Sequence, residues 1–294
     1  MPHIPYDSSL EALIHPGKRP TVFVDGDRPG PLLLACEFAR LAYIRFEIDE
    51  SEAQRLRESL ARVGFAESIA LDDRPSGAQA FVAWRESDRL ALVAFRGTEP
   101  DRLKDILADA AAMFTPWDGD GRVHAGFAAR TLALLPRIAN WLDDHAAQRA
   151  ALVLTGHSLG AAMATLAATR LPGARLITLG SPRVGDSAFA QSLRDVPCTR
   201  IVDHLDLVTS LPPGGITRYM HVSKALRIAR DGNVGAAASD ADHDADHDAD
   251  QDAGHDAGHP GVLGTLSTLL GHGHVPLPRP LSDHSPINYV RAFA

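Results

Sequence analysis

Apolar and polar positions alternate between two periods along this chain, and the order of those periods predicts its architecture. Residues 31–63 carry helical spacing in "PLLLACEFARLAYIRFEI" and again in "SEAQRLRESLARV", where Ser51 stands as N-cap and Glu52 in the first turn. "AFVAWRE" and "RLALVAFRG" are apolar runs split by "SD", which predicts a hairpin ending at Gly97. "GFAARTLALLPRIANWLDDH" reads as a helix interrupted or kinked near Pro136. "ALVLTG" is a buried strand, and "SLGAAMATLAATRL" is a helix with no breaker before Pro172. Strand "ARLITLG" (174–180), a helix beginning near Asp186, strand "TRIVD" (199–203) and a strand around "TRYMHVSKALRI" complete the series. Strands alternating with helices predict an α/β fold, a mostly parallel central sheet flanked by helices in a single domain over residues 1–294.

The pattern breaks between residues 235 and 274. "DADHDADHDADQDAGHDAGH" is a low-complexity Asp/His-rich insertion that supplies no core, with His243, His247, His255 and His259 on a four-residue grid. Divalent metal binding there would need induced helical order, which brings i and i+4 side chains to one face. In "GVLGTLSTLLG", Val262, Leu263, Leu266, Leu269 and Leu270 share one helix face, suited to a flap.

The insertion also changes how the charge is read. The formal net charge is −8, but residues 240–256 hold eight aspartates and no Lys or Arg, so the remainder is formally neutral. No basic patch points to nucleic acid. The 45% apolar and 22% charged content is that of an ordinary globular chain. No apolar run reaches the roughly 18 residues of a membrane span. The opening "MPHIPYDSSLEALIHPGKRP" lacks an apolar signal-peptide core, so a cytoplasmic location is the expectation. Cys36 and Cys198 lie far apart without metal-ligand spacing and read as reduced structural cysteines.

The candidate chemistry sits in "TGHSLG". A serine between Gly156 and Gly160, after a strand and before a helix, has the form of a nucleophile elbow. Small neighbours permit the tight turn, and the helix start offers free N–H groups beside the Ser158 hydroxyl. Serine alone is a poor nucleophile at neutral pH and needs a base and an acid to orient that base. In proteins with this elbow, acid and histidine follow the serine in that order. "TRIVDHLDLVTSLPP" offers Asp203 and Asp206, which spacing alone does not separate. Among later histidines, His221 sits in the apolar run "YMHV" as a structural residue. The tract histidines cannot fix a geometry, and His272 and His274 lie among glycines. His284, in "SDHSPINYV", leads into a final ordered segment. His157 precedes the serine and reads as a packing residue.

Six stretches in order, "LVAFRGTE", "VHAGF", "TGHSLGAAMATLAA", "LGSPRVGD", "DHLDLVTSLPP" and "SDHSPINYV", make the chain resemble the class 3 (fungal-type) lipases of the α/β-hydrolase superfamily. The resemblance implies a catalytic triad of Ser158, Asp206 and His284, choosing Asp206 as the aspartate just before "LVTSLPP". It implies an oxyanion hole from Thr98 and the N–H of Leu159, with Arg96 and His124 as scaffold. The implied activity is hydrolysis of glycerides or aliphatic esters through an acyl-enzyme, with no cofactor or metal required. Lipid or small-molecule esters are the implied substrates, with transient contact to a lipid interface. A thioesterase or amidase using the same triad is the rival within hydrolases, and a silent fold with a metal-binding tract is the rival outside them. The family's lid falls on "EPDRLKDILADAAAMF". Its narrow apolar face (Leu103, Ile106, Leu107) opposite five charges suits an esterase, or a lipase with little interfacial activation.

Overall fold

The computed structural model describes residues 4–98, 114–117, 121–212, 218–236 and 276–294. The expected lid helix before Phe114, and the tract and flap from 237 to 274, lie outside the described residues.

Among these residues one sheet holds eight strands in spatial order β1 (Glu67–Asp73), β2 (Ala78–Arg85), β3 (Leu90–Phe95), β6 (Ala151–His157), β7 (Ala174–Leu179), β8 (Cys198–Asp203), β9 (Ala225–Ile228) and β10 (Val234–Ala236). A separate two-stranded ribbon pairs β4 (Phe114–Pro116) with β5 (Arg122–His124). The five central strands, β3 to β9, run parallel, and antiparallel pairs close both edges.

Parallel strands are covered on both faces, so they need apolar side chains in both directions. In β3, Ala91, Val93 and Phe95 enter one core, while Leu90, Leu92 and Ala94 enter the other. The first core is roofed by α4 (Ala125–Asp144) and α5 (Leu159–Ala168). The opposite face is covered by α2 (Pro31–Leu41), α3 (Glu50–Ala61) and α8 (Pro286–Arg291). Three short helices complete the described set: α1 (Leu10–Ile14), α6 (Ser187–Ser192) and α7 (Arg279–Ser282).

Several local expectations change. The N-cap of α3 is Asp49, not Ser51; its carboxylate accepts from the Glu52 N–H, and Ser51 Oγ donates to the same oxygen. A carboxylate two residues earlier outcompetes the hydroxyl because it is charged and meets the helix dipole. Pro136 does not interrupt α4, which runs through it as one helix of 20 residues. Strand β1, absent from the periodicity reading, pairs with β2 as an edge whose face is half polar. His221 lies ahead of β9 rather than in a strand, bonding the Thr209 carbonyl through Nε2 at 2.8 Å. Gly235 belongs to β10, not to the insertion. Cys36 and Cys198 are both free thiols. No helix among the described residues is long and apolar enough to cross a membrane.

Candidate active site

Ser158 sits between the end of β6 and the start of α5 with φ 58° and ψ −125°. A non-glycine residue rarely holds such angles, which cost about 1–3 kcal/mol and persist only where neighbours enforce them. Here the enforcement is steric. A methyl group at Gly160 would stand 2.1 Å from the Phe95 carbonyl oxygen, and one at Gly156 would stand 2.3 Å from the Gly160 backbone. The chain after the serine is therefore pressed directly onto the end of β3. The Ser158 N–H bonds the Leu179 carbonyl at 3.0 Å, tying the turn to β7. Ser158 Oγ has no hydrogen-bond partner among the described residues.

The parallel register sets Thr98 on the same sheet edge. Phe95 pairs with Gly156, so Thr98 and Ser158 lie three and two residues beyond the paired positions. Gly97 abuts the turn so closely that a methyl group there would lie 2.6 Å from the His157 carbonyl. Thr98 Oγ1 is buried and has no hydrogen-bond partner among the described residues. Leu159 opens α5, where backbone N–H groups lack intrahelical acceptors.

His284 and Asp206 meet across 78 residues of sequence. His284 Nδ1 lies 2.9 and 2.8 Å from the two carboxylate oxygens of Asp206. An ionised carboxylate only accepts, so Nδ1 carries the proton and Nε2 is left as the basic nitrogen. Asp206 is wholly buried and also accepts from Tyr289 Oη at 2.5 Å and from the Val208 N–H at 2.9 Å. Burial pushes its carboxyl up, but the charge of His284 and hydrogen bonds from His284 and Tyr289 outweigh that and hold it below the ordinary carboxylate range. The ring of His284 packs against that of His157, the residue preceding the serine, at 4.4 Å between centroids. Ser158 Oγ is not bonded to it in this conformation; such bonds commonly form only when substrate closes the site.

Asp203, the other candidate acid, goes elsewhere. It is buried, one oxygen accepts from the His204 N–H at 2.8 Å, and the other has no partner among the described residues. Burial and the neighbouring Asp283 carboxylate push it up to about 8, so it is mostly protonated at neutral pH. A neutral acid without a histidine contact orients no base.

Arg96 and His124, expected as scaffold, make contacts that tie loops and a helix end. Arg96 forms a double ion pair with Glu47 (both contacts 2.8 Å) and bonds the Ala42 and Ile44 carbonyls, pinning the loop after α2. That pairing overrides partial burial and lowers Glu47 to about 2. His124 caps α4, accepting from Gly126 and Phe127 N–H groups. His157 Nδ1 bonds Tyr43 Oη at 2.8 Å, and burial together with the nearby His284 keeps its ring well below the ordinary imidazole range.

Tyr289 and Gly180 are missing from the sequence reading. Tyr289 also accepts from the Asp203 N–H at 3.1 Å, joining both ends of the acid loop. Gly180 has φ +54°, and a methyl group there would lie 2.6 Å from Asp206 Oδ2 and 3.1 Å from His284 Nδ1. The available signal was slight: a tyrosine five residues past the histidine, and a glycine ending a strand.

Residues 92–215 match the sequence model of the family described as lipase (class 3). A secreted mono- and diacylglycerol lipase A of Penicillium cyclopium is 34% identical over 170 residues, 54% of this chain and 55% of its own length. A lipase of Rhizomucor miehei is 31% identical over 161 residues, 49% of this chain and 43% of its own. The chain thus spans about half the length of these curated relatives. Among solved structures, a triacylglycerol lipase with a serine protease triad at its catalytic centre aligns with TM-score 0.60 and 23% identity, over 71% of this chain and 84% of that one. At that identity the likeness is one of fold, the α/β-hydrolase fold.

Proposed function

We propose, from the match of residues 92–215 to the class 3 lipase model and from the α/β-hydrolase fold, that the chain is a serine carboxylic-ester hydrolase acting on glycerides or aliphatic esters. The observation that carries this reading is a strained elbow serine whose hydroxyl has no partner among the described residues, next in sequence to His157, whose ring packs 4.4 Å from that of His284, a histidine with Nδ1 committed to a buried carboxylate.

In the proposed reaction Ser158 attacks the acyl carbon while His284 Nε2 takes its proton. Asp206 stabilises the imidazolium that results and fixes its tautomer. The carbonyl oxygen gains negative charge, which the Leu159 N–H and the Thr98 hydroxyl and N–H are suited to meet. Collapse breaks the C–O bond, and His284 returns the proton to the leaving alcohol. Water then repeats the sequence on the acyl-enzyme and releases the acid. Nucleophile, base and donors all come from the chain, so no step calls for a cofactor.

The choice among esters rests on relatives whose names specify acylglycerol substrates, and on the weakly apolar "EPDRLKDILADAAAMF" segment. Together they favour an esterase, or a lipase with little interfacial activation and only transient contact with lipid. A chain-length series of nitrophenyl esters, monomeric and emulsified, beside matched thioesters and anilides, tests this. Ester turnover that changes little at the emulsion boundary is expected. Ser158→Ala should remove it by about 10⁴-fold or more with the fold intact. Preference for thioester or anilide, or full activity in Ser158→Ala, would overturn the reading.

A further inference from the structure

His284 poses a mechanical problem. Residues 237–278, including the low-complexity tract, separate β10 from α7. The base then sits between α7, of four residues, and α8, of six. Helices this short have no stability of their own. Something else must hold the imidazole against Asp206.

The structure supplies it from the other end of the chain. Residues 6–8 lie along the C-terminal segment and are bonded to it repeatedly. Leu277 N–H donates to the Ser8 carbonyl at 2.8 Å. Asp7 N–H donates to Asn288 Oδ1 at 2.9 Å, while Asn288 Nδ2 donates to the Asp7 and Ser282 carbonyls, each at 2.8 Å. Tyr6 Oη donates to Asp283 Oδ1 at 2.6 Å and lies 2.6 Å from Ser282 Oγ. Its ring is flanked by the guanidinium groups of Arg279 and Arg291, at 4.4 and 5.0 Å. Asp283, fully buried and adjacent to the base, turns its second oxygen the other way. Oδ2 accepts from the Leu205 N–H at 3.0 Å, one residue before Asp206.

One carboxylate therefore spans the two loops whose side chains form the histidine–aspartate pair. We propose that Asp283 is a positioning residue that clamps the His284 loop to the Asp206 loop, and that Tyr6 and the Asp7–Asn288 lock make the N-terminal segment part of the active-site scaffold. The inference rests on the hydrolase reading for its catalytic consequence, but not for the clamp itself. The clamp makes no contact with substrate; it limits the positions the imidazole can occupy, and misplacement of about 1 Å can cost roughly 10²-fold in rate.

The test uses the full chain and the variants Tyr6→Phe, Asp283→Ala and Asp283→Asn. Readouts are kcat per active site titrated with a fluorophosphonate, KM, Tm, and the far-downfield proton resonance of the His284–Asp206 bond, assigned by its loss in His284→Ala. Asp283→Ala should lower kcat per titrated site by about 10- to 100-fold, with KM changed less than about twofold, and should broaden the resonance. Tyr6→Phe should do the same to a lesser degree, about three- to tenfold. Asp283→Asn should recover much of the rate, because its amide oxygen still accepts from Leu205. A purely structural role would lower Tm and the number of titratable sites while leaving kcat per site unchanged. That result in both Asp283→Ala and Tyr6→Phe overturns the proposal. If Asp283→Ala does not fold, Tyr6→Phe decides alone. If the wild type hydrolyses no ester, the hydrolase reading falls, and the resonance in Tyr6→Phe still decides the clamp: broadened supports it, unchanged overturns it.

Discussion

The two halves of the candidate site are built by opposite means. The elbow is made within one stretch: β6, Ser158 and α5 follow without interruption, and its small residues are in contact with the adjoining strand end. The shelf that holds Asp206 and His284 is assembled from the end of β8, the C-terminal segment and residues near the N-terminus. Steric exclusion fixes the first. Hydrogen bonds and buried charge fix the second. An elbow of this kind tolerates little change in side-chain size, whereas the shelf should be sensitive to single polar atoms.

The strongest way to break that contrast is at the two aspartates. Asp206→Asn keeps shape but presents a neutral group to His284, and should lower kcat by about 10³- to 10⁴-fold. Asp203→Asn, at a position mostly neutral already, should stay within about threefold of wild type. Steady-state kinetics on one soluble ester checks both, and the reverse order would move the acid role to Asp203.

The seam between the two halves is Gly180, bonded into the sheet through its N–H to the Ile201 carbonyl and facing the acid and the base. Gly180→Ala adds a methyl group 2.6 Å from Asp206 Oδ2 at φ +54°. We expect about 10²-fold loss of kcat together with roughly 1–3 kcal/mol of destabilisation, read from urea unfolding. An active, stable variant would show that the shelf is looser than its hydrogen bonds suggest.

Thr98→Ala sharpens the elbow side. Its hydroxyl, without a partner among the described residues, should meet charge mainly in the transition state, so kcat should fall about tenfold or more with KM nearly unchanged. An effect confined to KM would assign Thr98 to substrate binding instead.

The last expected effect is on stability and leaves the rate nearly unchanged. Asp203 is raised from 3.8 to about 8 in the folded chain. Between those values the native state holds a proton that the unfolded chain has released, so raising the pH favours unfolding. Wild-type Tm should decline through that window, and Asp203→Asn should flatten the decline, gaining on wild type at pH 8 compared with pH 5. Parallel Tm curves would mean that Asp203 is ionised in both states.

Local sequence determined what local physics can determine. Short, nearly continuous apolar runs bounded by glycine or polar residues marked β2, β3, β6 and β7. The glycine spacing fixed the elbow, because only small residues fit between touching backbones. Even so, short-range competition misled at Asp49 and Ser51, where a charged cap two residues earlier captured the helix start. Sequence order also narrowed the acid to Asp203 or Asp206, and the family resemblance chose between them. Tertiary structure alone set them apart: the same residue type, three positions apart, is held below the ordinary carboxylate range where it meets His284 and Tyr289 and pushed up to about 8 where it is buried beside another carboxylate. It alone brought Tyr6 to Asp283, and Tyr289 and Gly180 to Asp206. Those contacts join residues up to 277 positions apart, and no periodicity or motif encodes which distant partner a buried polar group will find. Burial makes the pairing necessary, and the packing of the whole chain chooses the partner.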